Sequence, residues 1–323
     1  MNGINQGTSI LQRILRKTGT SDLMESLVKR ISLSDLQSLL LAVYNQRTAS
    51  LTSADVLRQY GSNRFVKIAG ISPLETMKFD MMAFSLLPNG FEILELSPVC
   101  PLGTCSVLGP VDQNNALTTV RNTEVCSDST NVLALESAAR KIEGRCTKPL
   151  ESIKLCTSHR LTRGQMFEGP ASFPHFRILS LTTSGRDRGN RAFEVEAMME
   201  HIDYYLRVIQ TAGASDYSVK NVRVEVITFT DQDCSVAEDR IFRELRTRHK
   251  DVTFATHADT ENGGDYYEQF RFHIFATSAD GTEYFLVDGG FTKWMQKLMN
   301  NRKERFMISG MGTERFLSCF GKV

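Results

Sequence analysis

The sequence has little that would mark a membrane, secreted or strongly charged protein. No apolar run approaches the roughly 20 residues that a transmembrane helix requires, and the first eight residues are too polar for a signal peptide. The 38 Lys and Arg residues against 37 Asp and Glu residues leave a formal net charge of +1. No overall field therefore draws the protein to nucleic acid or anionic lipid. We expect no membrane association, and any RNA contact would depend on a local basic patch.

The cysteine and histidine patterns argue against a disulfide framework and against a metal site. The seven cysteines are an odd number scattered along the chain, which favours a reduced, cytoplasmic protein over a disulfide framework. Cys100 and Cys105 form a C-x4-C pair, but no second pair at metal-ligand spacing accompanies it. The six histidines share no ligand spacing either. The sequence therefore predicts no structural zinc site.

The 323 residues divide into two regions with different secondary-structure patterns. Residues 9–70 have helical periodicity, and two helix starts are indicated there: a capping box with Ser34 as N-cap and Gln37 three residues later, and a looser version from Thr52 to Asp55. We therefore predict a helical N-terminal region over residues 1–70 and a second domain over residues 71–323.

The second region mixes helices and strands. A helix over 74–87 stops at the turn signal of residues 88–90, and a half-buried strand over 91–96 follows. Further strands are predicted over 116–120, 153–156, 176–181, 222–229, 270–277 and 284–287, and helices over 131–140, 192–210, 237–249 and 292–300. Long strands with helices set to one side predict an α+β domain around an antiparallel sheet flanked by helices.

The most specific functional pattern in the sequence lies near the C-terminus, at residues 307–317. A predicted strand runs into Gly310 and Gly312, and a helix then opens with Arg315 in its first turn. Glycines let a ligand approach the backbone closely, and arginine offers a fixed fork of donors to a phosphate. Taken alone, so short a glycine pattern is more often an ordinary turn with a surface arginine.

The order of the segments before it gives this pattern its meaning. Residues 307–317 resemble motif 3 of class II aminoacyl-tRNA synthetases, and the histidyl enzymes in particular. Earlier segments resemble further parts of that family: 87–98 (motif 1), 120–124, 159–163 with 175–176 (motif 2), 263–267 and 288–290. The resemblance covers about residues 71–320. It implies a class II catalytic core without the family's anticodon-binding domain, assembled as a homodimer through motif 1.

The resemblance also implies roles for individual residues. Arg160 would hold the α-phosphate of ATP and Arg315 the γ-phosphate, with Mg²⁺ bridging the phosphates. Positioned arginines would stabilise the charge that builds on the phosphoryl oxygens when a carboxylate attacks. The other candidate ATP contacts are Arg163, Phe176, Gly310 and Gly312. The candidate contacts for the acid substrate are Glu124, Tyr266, Tyr267 and Gly289.

Several positions depart from the family pattern. Asn262 stands where the histidyl enzymes have a catalytic arginine, and Thr162 where motif 2 usually has a glutamate. Phe291 follows the paired glycines in place of an arginine, and Glu124 lies one residue out of register. The phosphate end of the site thus resembles the family more closely than the amino-acid end. These departures predict that histidine is a poor substrate.

Three functions are compatible with this pattern. The first is an ATP-dependent ligase that adenylates an amino acid or another small carboxylic acid, with tRNA or a carrier protein as candidate acceptor. The second is a non-catalytic paralogue resembling the regulatory subunit of ATP phosphoribosyltransferase, favoured by Asn262 and Thr162. The third is a true aminoacyl-tRNA synthetase. ATP–pyrophosphate exchange across a panel of acids discriminates among them, since the sequence does not fix the pocket.

Overall fold

The computed structural model describes residues 3–144, 151–165, 173–229, 235–259 and 266–321. These residues form two compact units. The helical unit comprises residues 3–63 with 119–123, and the sheet unit comprises residues 64–118 with 124–321. The two units are described separately below.

The helical unit contains the first four helices. They are α1 (Gly3–Thr18), α2 (Leu23–Glu25, continued as a π-helical turn over Ser26–Arg30), α3 (Leu33–Thr48) and α4 (Ser53–Ser62). Thr52 caps α4 in a capping box with Asp55, at the predicted position. The predicted start of α3 is wrong, because Ser32 and not Ser34 is its N-cap. Ser32 Oγ accepts from the backbone N–H of Asp35, 3.1 Å away, and so satisfies one of the free donors of the first turn.

The sheet unit is built on eight strands in the order β1-β4-β5-β10-β9-β8-β6-β7. Their bounds are β1 Phe91–Ile93, β4 Ile153–Thr162, β5 His175–Arg186, β6 Asn221–Phe229, β7 Val252–Asp259, β8 Glu268–Thr277, β9 Glu283–Phe291 and β10 Glu304–Gly312. The two outermost pairs, β1 with β4 and β6 with β7, are parallel. The five central pairings are antiparallel, which confirms the predicted fold class.

A small two-stranded sheet lies apart from the main one. It pairs β2 (Val99–Pro101) with β3 (Thr123–Val125). The strand predicted over 116–120 is wrong: the segment makes only an isolated bridge from Thr118 to Glu124. The neighbouring residues Gln113–Asn115 form a 3-10 helical turn, and residues 120–121 form a turn.

Helices cover both faces of the main sheet. They are α5 (Pro73–Ser85), α6 (Ser129–Ile142), α7 (Ala192–Ala214), α8 (Ser235–Arg248), α9 (Trp294–Leu298) and α10 (Thr313–Phe320). The larger core joins side chains of α5, α7, α8 and α10 to one face, around Ile202, Tyr205 and Phe316. A smaller core joins α6 and α9 to the other face, around Ala134 and Trp294. None of the helices in the described ranges has the length and hydropathy that a membrane span requires.

Candidate functional site

A cavity of about 520 Å³ lies beside α6, over strands β5, β9 and β10 of the sheet unit. Its lining combines cationic, anionic, aromatic and glycine positions. The lining includes Ser127, Asp128, Thr130, Asn131, Arg163, Gln165, Phe176, Tyr266, Tyr267, Phe285, Asp288, Gly310, Gly312 and Arg315. Seven of the ten residues predicted for the site line this cavity: Arg163, Phe176, Tyr266, Tyr267, Gly310, Gly312 and Arg315.

Strand register decides which side chains reach this cavity. Gly310 of β10 lies opposite Ser180 of β5, and Gly312 lies opposite Ile178. Directly opposite residues share one face of a sheet, and successive residues alternate between faces. All four positions therefore belong to the cavity face, and all four line the cavity. Their immediate neighbours along each strand belong to the opposite face.

This alternation places Arg160 on the sheet face away from the cavity. Arg160 of β4 lies opposite Arg177, whereas the next pair, Leu161 with Phe176, belongs to the cavity face. The Arg160 guanidinium contacts Glu314 of α10 instead, and its Nη1 lies 2.9 Å from His175 Nδ1. Among the described residues that line the cavity, Arg160 is therefore missing. Its direct contacts are with Glu314 of α10 and His175 of β5.

Arg163, in contrast to Arg160, lines the cavity. It follows the end of β4, where its backbone N–H still pairs with the carbonyl of Pro174 at 3.2 Å. Its Nε donates to the carbonyl of Ser127 at 2.9 Å, and its guanidinium carbon lies 5.2 Å from the ring centroid of Phe176. Gln165, two residues later, also lines the cavity. Arg163 and Gln165 are thus two cavity-lining residues separated by one position.

The β10–α10 junction forms another side of the cavity. A Cβ added to Gly310 would lie 2.9 Å from Ile178 Cγ2, so a side chain there would collide with β5. A Cβ added to Gly312 would meet nothing closer than the Cβ of Arg315 at 3.6 Å. The open space beside Gly312 is therefore available to a ligand. Arg315 borders the same space, and its Nη1 donates to the carbonyl of Phe285 at 3.0 Å.

Two tyrosine–aspartate pairs also line the cavity. The rings of Tyr266 and Tyr267 pack edge to face with centroids 4.8 Å apart. Tyr266 Oη donates to Asp128 Oδ2 and Tyr267 Oη to Asp288 Oδ2, both at 2.9 Å. Burial raises the pKa of both tyrosines well above the usual value, so both hydroxyls stay protonated. Residues 260–265, which include Asn262 and the start of the predicted 263–267 segment, lie outside the described residues.

The acid predicted at Glu124 is not a cavity residue. Glu124 is fully buried, and its carboxylate accepts from the backbone N–H groups of Gly103 and Cys105 at 3.0 and 2.7 Å. Asp128, four residues later, reaches the cavity as the N-cap of α6. An Asp or Ser just before a helical pattern is a recognisable capping signal, and it was present before the helix predicted over 131–140.

Gly289 also has a different role from the predicted one. A Cβ there would lie 2.4 Å from Phe272 Cε1 and 2.7 Å from Ser309 Cβ, on the face away from the cavity. Gly290 is the glycine that matters to the site, because a Cβ there would lie 2.6 Å from Tyr267 Cδ1. Gly289 therefore permits packing of the core, and Gly290 permits the position of Tyr267.

Sequence reasoning missed several polar residues that line the cavity, among them residues that carry a carboxylate or an amide group. They include Asp128, Asn131, Gln165 and Asp288. Asp128 had a signal as a helix cap, and Asp288 lay in the segment 288–290 that resembles the family. Asn131 and Asp288 become cavity residues through the packing of α6 and the register of β9, and a single sequence fixes neither.

The described residues fit a nucleotide better than a metal held by the protein alone. Arg163, Arg315 and the space at Gly312 suit phosphate groups. No three His, Cys, Asp or Glu side chains converge as a metal site within the described ranges. Mg²⁺ is commonly held by one or two carboxylates together with substrate phosphates and waters, so this cavity is compatible with an ion that arrives with ATP.

No protein-family model and no curated protein matches the sequence, but solved structures match the fold. Apo histidyl-tRNA synthetase of S. aureus matches 78% of this chain and 69% of its own, with a TM-score of 0.57 at 13% identity. A putative threonyl-tRNA synthetase of Aeropyrum pernix matches 74% and 57% (TM-score 0.55, 12% identity). An ATP phosphoribosyltransferase regulatory subunit/histidyl-tRNA synthetase from Bacillus halodurans matches 79% and 83% (TM-score 0.53, 12% identity). The chain therefore has the fold of a class II aminoacyl-tRNA synthetase catalytic core.

Proposed function

We propose that this protein uses ATP to activate the carboxyl group of an amino acid or a related small carboxylic acid, forming an acyl-adenylate. The observation that carries the proposal is the composition of one cavity. Arg163, Phe176 and Arg315 face it from motif 2 and motif 3, and two tyrosine–aspartate pairs also line it. The arginines suit phosphates, and the aspartates suit an ammonium group.

Adenylation of an amino acid requires cationic groups beside the phosphates of ATP and is helped by an anionic group beside the ammonium of the acid. A carboxylate oxygen of the acid attacks the α-phosphorus, a new P–O bond forms, and the bond to the β-phosphate oxygen breaks to release pyrophosphate. Negative charge on the phosphoryl oxygens is stabilised by guanidinium groups that are already in place. Arg163 is held by the Ser127 carbonyl and Arg315 by the Phe285 carbonyl. We assign Arg163 to the α-phosphate and Arg315 to the outer phosphates. Mg²⁺, when bound with ATP, would offset further charge on the phosphates.

The amino group of the acid has a suitable partner near Arg163. Asp128 Oδ2 accepts from Tyr266 and lies 3.9 Å from Arg163 Nη2. An ammonium group on Asp128 would hold the neighbouring carboxylate of the same molecule close to the arginine. Such positioning of two reactants is a major source of rate enhancement.

A second candidate is a regulatory paralogue that binds ligands without catalysis. The specific support is the match to the Bacillus halodurans structure, whose name includes an ATP phosphoribosyltransferase regulatory subunit and of which 83% is covered. Asn262, neutral where the resembled family has a catalytic arginine, favours the same reading. In this case ATP or an amino acid would bind, and pyrophosphate exchange would be silent.

The test begins with ATP binding. Wild-type protein with Mg²⁺ is titrated with ATP by calorimetry and compared with Arg315→Ala. Loss of a hydrogen bond to a charged group costs about 1.5–3 kcal/mol, so the variant should bind ATP roughly ten- to a hundred-fold more weakly. Arg302→Ala is the matched control, because Arg302 is exposed and lies outside the cavity lining. Equal affinity in folded Arg315→Ala and in wild type would remove the basis of the proposal.

Pyrophosphate exchange then separates the two candidates. Exchange that depends on one or more acids supports the ligase. ATP binding that responds to Arg315→Ala, with no exchange for any acid, supports the regulatory paralogue.

A further inference from the structure

One group of cavity-lining residues offers mainly hydrogen-bond acceptors. We call it the acceptor wall and define it as Asp128, Asn131, Tyr266, Tyr267 and Asp288, all of which line the cavity. Both tyrosine hydroxyl protons are already donated to the aspartates. The oxygens that remain on the two aspartates and two tyrosines can therefore only accept, and Asn131 adds one acceptor oxygen beside its NH2 group.

The neighbouring hydroxyl group does not change this balance. Thr130 donates both its backbone N–H and its Oγ1–H to Asp128 Oδ1, at 2.9 and 2.7 Å. Asp128 is thus fixed by donors on both oxygens, one from Thr130 and one from Tyr266. A carboxylate oriented in this way presents its remaining lone pairs in defined directions.

Asn131 adds an independent sign that a ligand is expected. Its side chain lines the cavity and is only 2% exposed. Its Oδ1 has no hydrogen-bond partner in the described part of the chain. Buried polar atoms are almost always paired in folded proteins, and the exceptions commonly mark a site for a ligand or a water. A ligand with a hydrogen-bond donor could satisfy Asn131 Oδ1.

The two aspartates differ in how their charge is offset. Asp128 Oδ2 lies 3.9 Å from Arg163 Nη2. Asp288 lies opposite His273 in the sheet, and its Oδ1 is 3.4 Å from His273 Nε2. The only Lys or Arg residues in the described lining are Arg163 and Arg315. Asp288 Oδ1 has no hydrogen-bond partner among the described residues, and Asp288 forms no ion pair with either arginine of the lining.

We propose that the acid substrate carries two cationic groups, and that Asp288 is the residue that selects the second. The inference rests on the proposed function for the placement of the first group: the α-ammonium on Asp128, beside the reacting carboxylate. The side chain then extends along the tyrosines and places an ammonium or guanidinium on Asp288. A site built to pair a charged group rejects neutral isosteres strongly, because its own carboxylate would be left unpaired. The substrate class is a basic amino acid.

The test compares isosteric ligands with and without the side-chain charge. Lysine is paired with norleucine and arginine with citrulline, and leucine and histidine complete the panel. Binding is measured by calorimetry with Mg²⁺ and a non-hydrolysable ATP analogue, so that the readout does not require catalysis. Pyrophosphate exchange with the same acids gives kcat/KM. At least one basic acid should bind about 30-fold or more tightly than its neutral isostere, the usual scale for a desolvated charge pair.

Asp288→Asn tests the assigned residue. Asparagine still accepts from Tyr267 but lacks the charge, so the preference for the charged acid over its isostere should fall to a few-fold or vanish. Asp216→Asn, at an exposed aspartate outside the cavity lining, should keep the wild-type preference. Thermal melting checks that both variants fold. Were Asp288→Asn not to fold, the comparison of isosteres in wild type would decide the substrate class.

The outcomes separate this inference from the proposed function. Tighter binding of norleucine, citrulline or leucine than of lysine and arginine, with ATP bound, overturns the basic substrate and leaves adenylation standing. A preference for a basic acid that survives in folded Asp288→Asn overturns the role of Asp288. Preference for a basic acid without exchange supports the inference while the ligase fails. Failure of ATP to bind removes the proposed function before the acid is tested.

Discussion

At the scale of single residues, the site depends on which of two arginines three positions apart faces the cavity. Arg160 contacts Glu314, a side chain only 4% exposed, whereas Arg163 lines the cavity. The two guanidinium groups therefore have different functions. One neutralises a nearly buried carboxylate, and the other is available to a ligand.

Substitution of each arginine by alanine should separate these functions. Arg160→Ala leaves Glu314 without its partner, and breaking a buried pair costs about 3–5 kcal/mol. Because Arg160 is 35% exposed, we expect the lower end, about 3 kcal/mol of unfolding free energy. Arg163→Ala should change stability little and weaken ATP binding by about 1.5–3 kcal/mol. Urea denaturation and ATP titration of both variants measure the two effects, and a stable Arg160→Ala protein with poor ATP binding would reverse the assignment.

The sequence identified a segment that reaches the cavity, but the arginine of that segment that lines the cavity is Arg163 and not Arg160. A strand alternates its side chains between two faces, so a register error of an odd number of residues moves every assignment to the wrong face. The family resemblance aligned Arg160 with the motif arginine, but only the pairing of Leu161 with Phe176 fixes the faces. Glu124 and Asp128 show the same limit: a carboxylate in the right segment can be buried by its own loop.

At the scale of elements, glycines on β9 and β10 are needed for opposite reasons. Gly289 lies against Phe272 in the core, and Gly312 borders open space at the start of α10. Close packing excludes a side chain at Gly289 but not at Gly312. Local signals predicted the elements well where a cap was present, as for α4, and failed where pairing partners decide, as at 116–120.

Alanine at these two glycines should therefore give different defects. Gly289→Ala would bring a methyl group within 2.4 Å of the Phe272 ring, and overpacking of this kind typically costs about 1–3 kcal/mol. Gly312→Ala meets no such contact, and loss of a glycine cap costs about 1 kcal/mol or less. The new methyl would instead occupy space beside Arg315 and weaken ATP binding. Melting temperatures and ATP titrations distinguish the two; full ATP affinity in Gly312→Ala would show that phosphates do not approach this turn.

At the scale of the whole molecule, one helix leaves an apolar stripe uncovered. Leu74, Met77 and Met81 of α5 are 69%, 60% and 72% exposed. Their spacing of three and four residues places them on one side of the helix. Ile93 of β1, in the segment resembling motif 1, is also 48% exposed. Contiguous apolar surface of this kind marks an interaction site more often than a solvated face.

We predict that this stripe is the centre of a symmetric homodimer, in which the same patch of each copy meets the other. The double variant Met77→Asp with Met81→Asp places charges where two copies would bury apolar surface, so it should be monomeric and still folded, because both side chains are largely exposed. Ile142→Asp is the matched control: Ile142 is 73% exposed, but it ends α6 and lies outside the stripe, so its dimer should persist. Sedimentation velocity at micromolar concentration measures the three proteins. A monomeric wild type, or a double variant that remains dimeric, would exclude α5 as the interface. A stable interface buries about 800 Å² per partner. A few exposed methionines can therefore form only the centre of such an interface. The segment from α5 through β1 is the continuous stretch that would supply the rest.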